Sequence, residues 1–242
     1  AGSEKSTTAE QLNAALNDNT AAVLYPAIDN HADILSIEEV ISIAHTRDIP
    51  VIVDAAAQLP PRSNLIDLPA MGCDLTVFSG GKGLFGPQSS GLILGRKDLI
   101  EACNLNSNPH SAIGRGMKVG KEEICALLRA VELFFEMDEA AVVAEWQRRC
   151  QIIAEAIAGI KGLEARFTKA YENKFPPASP LIHVHFDDSA SKTATEVVAE
   201  LEAGEPSILA SGGGTSLTVG PQTLQDGEAE IIADRLRKIL VG

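Results

Sequence analysis

Three short apolar runs joined by loops of small residues organise the first half of the chain. Val51-Ile52-Val53 stops at an acid, Asp54. Leu75-Thr76-Val77-Phe78 stops at Ser79-Gly80-Gly81-Lys82, and Gly91-Leu92-Ile93-Leu94 is closed by Gly95. Apolar runs without polar alternation predict strands buried on both faces. Val23-Leu24-Tyr25 predicts a further strand upstream. Thr8 and Ser36 each open a helical pattern with its apolar positions on one face. These are Leu12, Ala15 and Leu16 in the first, and Ile37, Val40, Ile41 and Ala44 in the second. Strand–helix–strand alternation of this kind predicts an α/β fold with a parallel sheet and right-handed crossovers.

After the third run, residues 96–117 read as a long loop, marked by Asn104, Asn106, Asn108, Pro109 and Gly114. Helical spacing takes over at Lys121. Ile124, Leu127, Leu128, Val131, Phe134 and Phe135 trace one stripe, and Trp146, Cys150, Ile153 and Ile157 another; both read as core. The domain change is placed near Asp138, with residues 1–138 in a larger α/β domain and 139–242 in a small α+β domain. In the second domain strands are expected over 163–167, 181–186, 207–210 and 216–219, with helices over 195–202 and 227–240. Val184 separates His183 from His185, so both imidazoles should face one side of a sheet. Two histidines without a third ligand make a weak metal site, and sheet packing is the simpler reading. Ser211-Gly212-Gly213-Gly214 reads as a flexible hairpin loop.

Composition narrows the class. At 242 residues with 45% apolar content the chain can bury a sizeable core. Its 33 acidic and 20 basic residues leave a net charge of −13, which makes nucleic-acid binding unfavourable. No apolar run approaches the ~18 residues of a membrane span, and no secretory signal pattern opens the sequence, so a cytoplasmic protein is expected. Cys73, Cys103, Cys125 and Cys150 are widely spaced and read as buried free thiols in a reducing compartment.

Ligands of open α/β sheets collect at the carboxyl ends of the strands. Asp54 and Lys82 both lie there, as do Asn30 and His31 in the loop after the first strand. A plain salt bridge between Asp54 and Lys82 is one reading, and a solvated loop is one reading of His31. The other is a binding site, because Gly80, Gly81, Gly83 and Gly86 surround the lysine, as expected where backbone turns sharply or approaches a ligand. Apolar strands on both sides should desolvate the Lys82 ammonium, the condition a Schiff-base lysine requires. A phosphate-cradling P-loop does not fit, since Thr76 and Gly83 stand where that motif needs glycine and serine or threonine.

VDAAAQ, then a hydrophobic strand ending in SGGK, then GPQSSG, resembles the fold-type I pyridoxal-phosphate enzymes. Within them the chain is most similar to the selenocysteine synthase (L-seryl-tRNA selenium transferase) group, whose relatives include ammonia-lyases acting on amino-sugar acids. The resemblance implies the C-terminal part of a large parallel-sheet domain followed by a smaller α+β domain, with about three N-terminal strands outside this sequence. It implies pyridoxal 5'-phosphate as cofactor, bound covalently by Lys82, with Asp54 on the pyridine nitrogen, Ala56 against the ring and Ser79 on the phosphate. Gln58 stands one position later than the glutamine of related sulfur-mobilising enzymes, where this chain has Ala57. Arg115 and Lys118 fall on a motif that holds an anionic part of the substrate, with lysine replacing the second arginine. The implied activity is β-elimination or replacement at the α-carbon of a small amino acid or amino-sugar acid, in a homo-oligomer. Amino transfer is the alternative within the cofactor class, and a non-catalytic cofactor- or partner-binding domain the alternative outside it.

Overall fold

The computed structural model describes residues 1–3, 6–27, 34–167 and 180–242. These form two compact units, residues 1–137 and residues 138–167 with 180–242. In the first, α1 (Ala9–Ala15), β1 (Val23–Pro26), α2 (Ile37–His45), β2 (Val51–Asp54), α3 (Asn64–Ala70), β3 (Leu75–Ser79) and β4 (Gly91–Gly95) follow in order. Both expected caps are present. The Thr8 hydroxyl accepts from the Gln11 N–H and the Ser36 hydroxyl from the Glu39 N–H, while the Gln11 and Glu39 side chains accept in return from the cap N–H groups.

The sheet order is β1-β2-β3-β4. β1, β2 and β3 run parallel, and β4 returns antiparallel to β3. One face, with Val51, Val53 and Phe78, is buried against apolar residues of α1, α2 and α3. Register puts Leu24 and Ile93 on the other face, where they are 67% and 41% exposed. The expectation of strands buried on both faces holds for β3, where Leu75 and Phe78 are buried on opposite faces, and is corrected for β4. β4 alternates exposed and half-buried positions as a one-sided edge strand does.

Residues 96–117 are not one loop. Lys97–Asn106 form a helix, α4, with no buried residue, and Ile113–Met117 form a short 3-10 turn. Asp98 in the first turn suits the helix dipole, but a helix that buries nothing leaves no strong periodic signal. The stripe of α5 (Lys121–Glu136) is core only in part. Ala130 and Phe134 are buried, whereas Ile124, Leu128 and Phe135 are exposed.

The second unit contains α6 (Glu139–Ile157), β5 (Leu163–Phe167), β6 (Ile182–Phe186), α7 (Ala194–Glu202), β7 (Ser211–Gly213), β8 (Ser216–Val219) and α8 (Glu228–Val241). Its sheet is antiparallel throughout, in the order β5-β6-β8-β7. Cys150, Ile153 and Ile157 of α6 pack with Val197 and Leu201 of α7, Leu236 of α8 and the inward residues of β6 and β8. Ile182, Val184 and Phe186 are buried, which leaves His183 and His185 together on the other face; His183 Nδ1 lies 2.9 Å from the Thr218 hydroxyl. The strand expected over 207–210 does not form a ladder. Ile208 and Ala210 pack on the core and Leu209 is 83% exposed, but the pairing belongs to Ser211–Gly213, expected as a loop. Of the cysteines, Cys73 and Cys150 are buried, Cys103 is half-buried and Cys125 is exposed. Burial pushes the Cys73 and Cys150 thiols up to about 11. Among the described residues no helix is long and apolar enough to cross a membrane.

Candidate active site

β2 and β3 run side by side until Asp54 stands opposite Val77, and the Ala55 N–H adds one further bond to the Val77 carbonyl at 2.8 Å. Beyond that point the ladder between β2 and β3 ends. Asp54 is exposed at the end of β2, where its carboxylate accepts the Ala56 N–H at 3.0 Å. No ion pair links it to Lys82, so the salt-bridge reading fails.

Three backbone hydrogen bonds close the lysine turn. The Gly80 N–H donates to the Ser90 carbonyl at 2.9 Å, the Phe85 N–H to the Lys82 carbonyl at 2.9 Å, and the Gly86 N–H to the Gly80 carbonyl at 2.8 Å. Leu84 is buried beneath it. Gly83 is required by a close approach, since a Cβ there would lie 2.1 Å from the Leu59 carbonyl oxygen. Lys82 is exposed at the tip. Its expected burial between apolar strands is therefore corrected: the packing reaches the glycines and Leu84 and stops short of the lysine.

Ser79, the last residue of β3, pairs in register with Gly91, and its hydroxyl has no hydrogen-bond partner among the described residues. Ala56 is half-buried just past Asp54. Gln58 is 2% exposed and turned inward; its Nε2 donates to the Ala27 carbonyl at the end of β1, and its own carbonyl accepts from Asn64 Nδ2 at 2.7 Å. It ties the loop after β2 to the residue that follows β1. His31 lies outside the described residues.

Asp54, Ala56, Ser79 and Lys82 thus share one sheet edge. Arg115 and Lys118 lie on a different segment. Arg115 is exposed on the 3-10 turn and its guanidinium donates to the Pro109 carbonyl. Lys118 lines a groove of about 460 Å³ together with Gly91 and Leu92 of β4 and Leu127 and Leu128 of α5. The sequence reading missed Arg62. Its guanidinium lies 5.9 Å from the Phe134 ring centre and 5.8 Å from that of Phe135, and it donates to the Met137 carbonyl. An arginine directly after two prolines, close to the VDAAAQ motif, was the available signal.

Residues 2–117 of the chain match the aminotransferase class-V family model. The chain is 34% identical over 246 residues to the D-glucosaminate-6-phosphate ammonia lyase of Salmonella typhimurium, a match spanning 98% of this chain and 62% of that one. It is 31% identical to a 5'-C-glycyluridine monooxygenase-decarboxylase of a Streptomyces species, over 99% of this chain and 59% of the relative. It is 26% identical to an L-seryl-tRNA(Sec) selenium transferase of Nitratidesulfovibrio vulgaris, over 93% and 54%. The solved structure of a D-glucosaminate-6-phosphate ammonia-lyase superposes with a TM-score of 0.73 at 33% identity, covering 99% of this chain and 63% of that chain. These likenesses bear out the resemblance to fold-type I pyridoxal-phosphate enzymes of the selenocysteine-synthase-like group. The chain spans between 54% and 62% of the length of these curated relatives.

The residues present fit pyridoxal phosphate. Among the described residues, an exposed carboxylate outside any ion pair, an exposed amine and an unpartnered hydroxyl stand at one edge, with the small side chain of Ala56 just past the carboxylate. That donor set matches a ring nitrogen, an aldehyde and a phosphate.

Proposed function

We propose that this chain carries the lysine and aspartate of a pyridoxal-phosphate site that acts at the α-carbon of a small amino acid or amino-sugar acid and eliminates a β-substituent. The observation that supports it most is the uncommitted pair: Asp54 and Lys82 stand exposed at neighbouring strand ends, with no ion pair between them. The name of the 34% identical relative favours an amino-sugar acid over a free amino acid. The net charge of −13 disfavours the tRNA-borne substrate in the names of the selenium transferases.

When bound, the cofactor supplies an electron sink for charge developing at the substrate α-carbon. Asp54 has one oxygen engaged by the Ala56 N–H, and its carboxylate holds a proton on the pyridine nitrogen. Ser79 donates its hydroxyl to the phosphate, and Ala56 leaves room for the ring. Lys82 would carry the cofactor, and its amine would take the proton from the substrate α-carbon. Arg115 and Lys118 bind the carboxylate or phosphate of the substrate; Arg115 exchanges its bond to the Pro109 carbonyl for the anion. A second copy of the chain supplies part of the wall around the exposed lysine. The setting is cytoplasmic, in keeping with four free cysteines.

The test uses the full-length protein with pyridoxal phosphate and a phosphorylated 2-amino-sugar acid. Loss of the β-substituent leaves an enamine that water hydrolyses to a 2-oxo acid, so ammonia release with no added amino acceptor is expected. Turnover only when a 2-oxo acid is supplied would replace elimination by amino transfer, the reading the class-V family match keeps in view. Absence of any lysine-bound cofactor absorbance would remove both.

A further inference from the structure

The lysine turn is gripped from two sides by parts of the chain that are far apart in sequence. On one side the Leu59 backbone closes on Gly83, leaving 2.1 Å between the Leu59 oxygen and where a Cβ would stand. On the other, α5 lies against the turn: a Cβ at Gly86 would meet the Ala130 Cβ at 3.2 Å and Leu127 Cδ1 at 3.3 Å. Arg62 joins these two walls. It follows Leu59 by three residues, and its guanidinium lies against the rings of Phe134 and Phe135 while donating to the Met137 carbonyl beyond the end of α5. Asn64 ties the same segment only to itself, through the Gln58 carbonyl at 2.7 Å.

We propose that Arg62 is a positioning residue: it sets the separation of the two walls and so the direction in which Lys82 leaves its turn. Arginine suits this place because a planar guanidinium can lie over aromatic rings and still donate in its own plane; a lysine ammonium can do one or the other. The consequence for cofactor binding rests on the reading of Lys82 given above, whereas the clamp on the turn does not.

Two measurements on the full-length protein separate these claims. In the cofactor-free protein, Arg62→Met should speed amide hydrogen exchange at Phe85 and Gly86, which bond the Lys82 and Gly80 carbonyls, by about tenfold, with β3 amides unchanged. Arg62→Lys should give a smaller acceleration at the same two amides. Pyridoxal-phosphate affinity, read from the absorbance of the lysine-bound cofactor, should fall by a similar factor in Arg62→Met and be partly restored in Arg62→Lys. Equal acceleration throughout residues 1–137, or none at Phe85 and Gly86, overturns the clamp. Should Arg62→Met not fold, the lysine variant decides by the same pattern. Local acceleration in a protein whose wild type binds no cofactor would support the clamp and sink the reading of Lys82.

Discussion

Asp54 and Asp74 sit at opposite ends of the same parallel strands, and the chain treats them in opposite ways. Asp74 is 2% exposed, just before β3. Its Oδ2 lies 2.8 Å from His45 Nε2 and accepts the Val51 N–H at 2.7 Å, and its Oδ1 accepts from Arg96 at 2.8 Å. Arg96 is held in turn by Asp98. One carboxylate thereby gathers the end of α2, the start of β2 and the residue after β4. Asp54 receives one local backbone bond and is otherwise open. A carboxylate kept for architecture has its lone pairs filled by its own chain, whereas one kept for a ligand does not.

Removing charge at the two ends should therefore have separable results. Lys82→Ala should lower turnover by about 10³-fold or more, with Asp54→Asn also strongly impaired, while both variants, free of cofactor, unfold in urea within about 0.5 kcal/mol of the cofactor-free wild type. Asp74→Asn should do the reverse. It leaves His45, Arg96 and a buried N–H facing a weaker acceptor and should cost about 2 kcal/mol of stability, with turnover per folded molecule unchanged. Loss of stability in the first pair, or loss of activity alone in the second, would break the contrast.

The same contrast has a pH signature. Burial works to raise the Asp74 carboxyl, but hydrogen bonds from His45, the Val51 N–H and Arg96 outweigh it and hold the group below its ordinary value. A carboxyl lowered in the folded state contributes stability that is complete above the unfolded value and is lost as pH falls through the folded one. The gap in urea stability between wild type and Asp74→Asn should accordingly be full at neutral pH and shrink below about pH 4. A gap that persists unchanged well into the acid range would show that the carboxylate charge is not what binds these elements.

What the sequence showed and what it hid follow the same physics. Strands that end in chemistry were legible, because Val51–Asp54 and Leu75–Ser79 are apolar runs stopping at polar residues. Helices with one buried face and a cap, α1, α2 and α7, were legible too. α4 was hidden because it buries nothing, and its asparagines read as loop. The open face of the first sheet was hidden because Leu24 and Ile93 are as apolar as any core residue, and pattern cannot report what covers them. At the site, glycines around Lys82 announced a tight turn. The grip of Leu59, the clamp of Arg62 and the inward turn of Gln58 depend on contacts between distant segments, which no local pattern encodes.

The smallest effect comes from a glycine at the architectural end. Gly72 links α3 to Cys73 and Asp74 with φ +101, and its N–H donates to the Pro69 carbonyl at 3.1 Å. An added Cβ would meet nothing nearer than Ile41 Cγ2 at 3.6 Å, so space is not the obstacle. Backbone conformation is, because an L side chain disfavours that φ by about 1 kcal/mol. Gly72→Ala should lose about that much stability in urea and leave cofactor absorbance and turnover unchanged. Since Gly72 feeds straight into Asp74, a cost well above that value would mean that the substitution displaces the carboxylate. The pH-dependent gap to Asp74→Asn would then shrink with it, tying the turn and the buried acid into one unit.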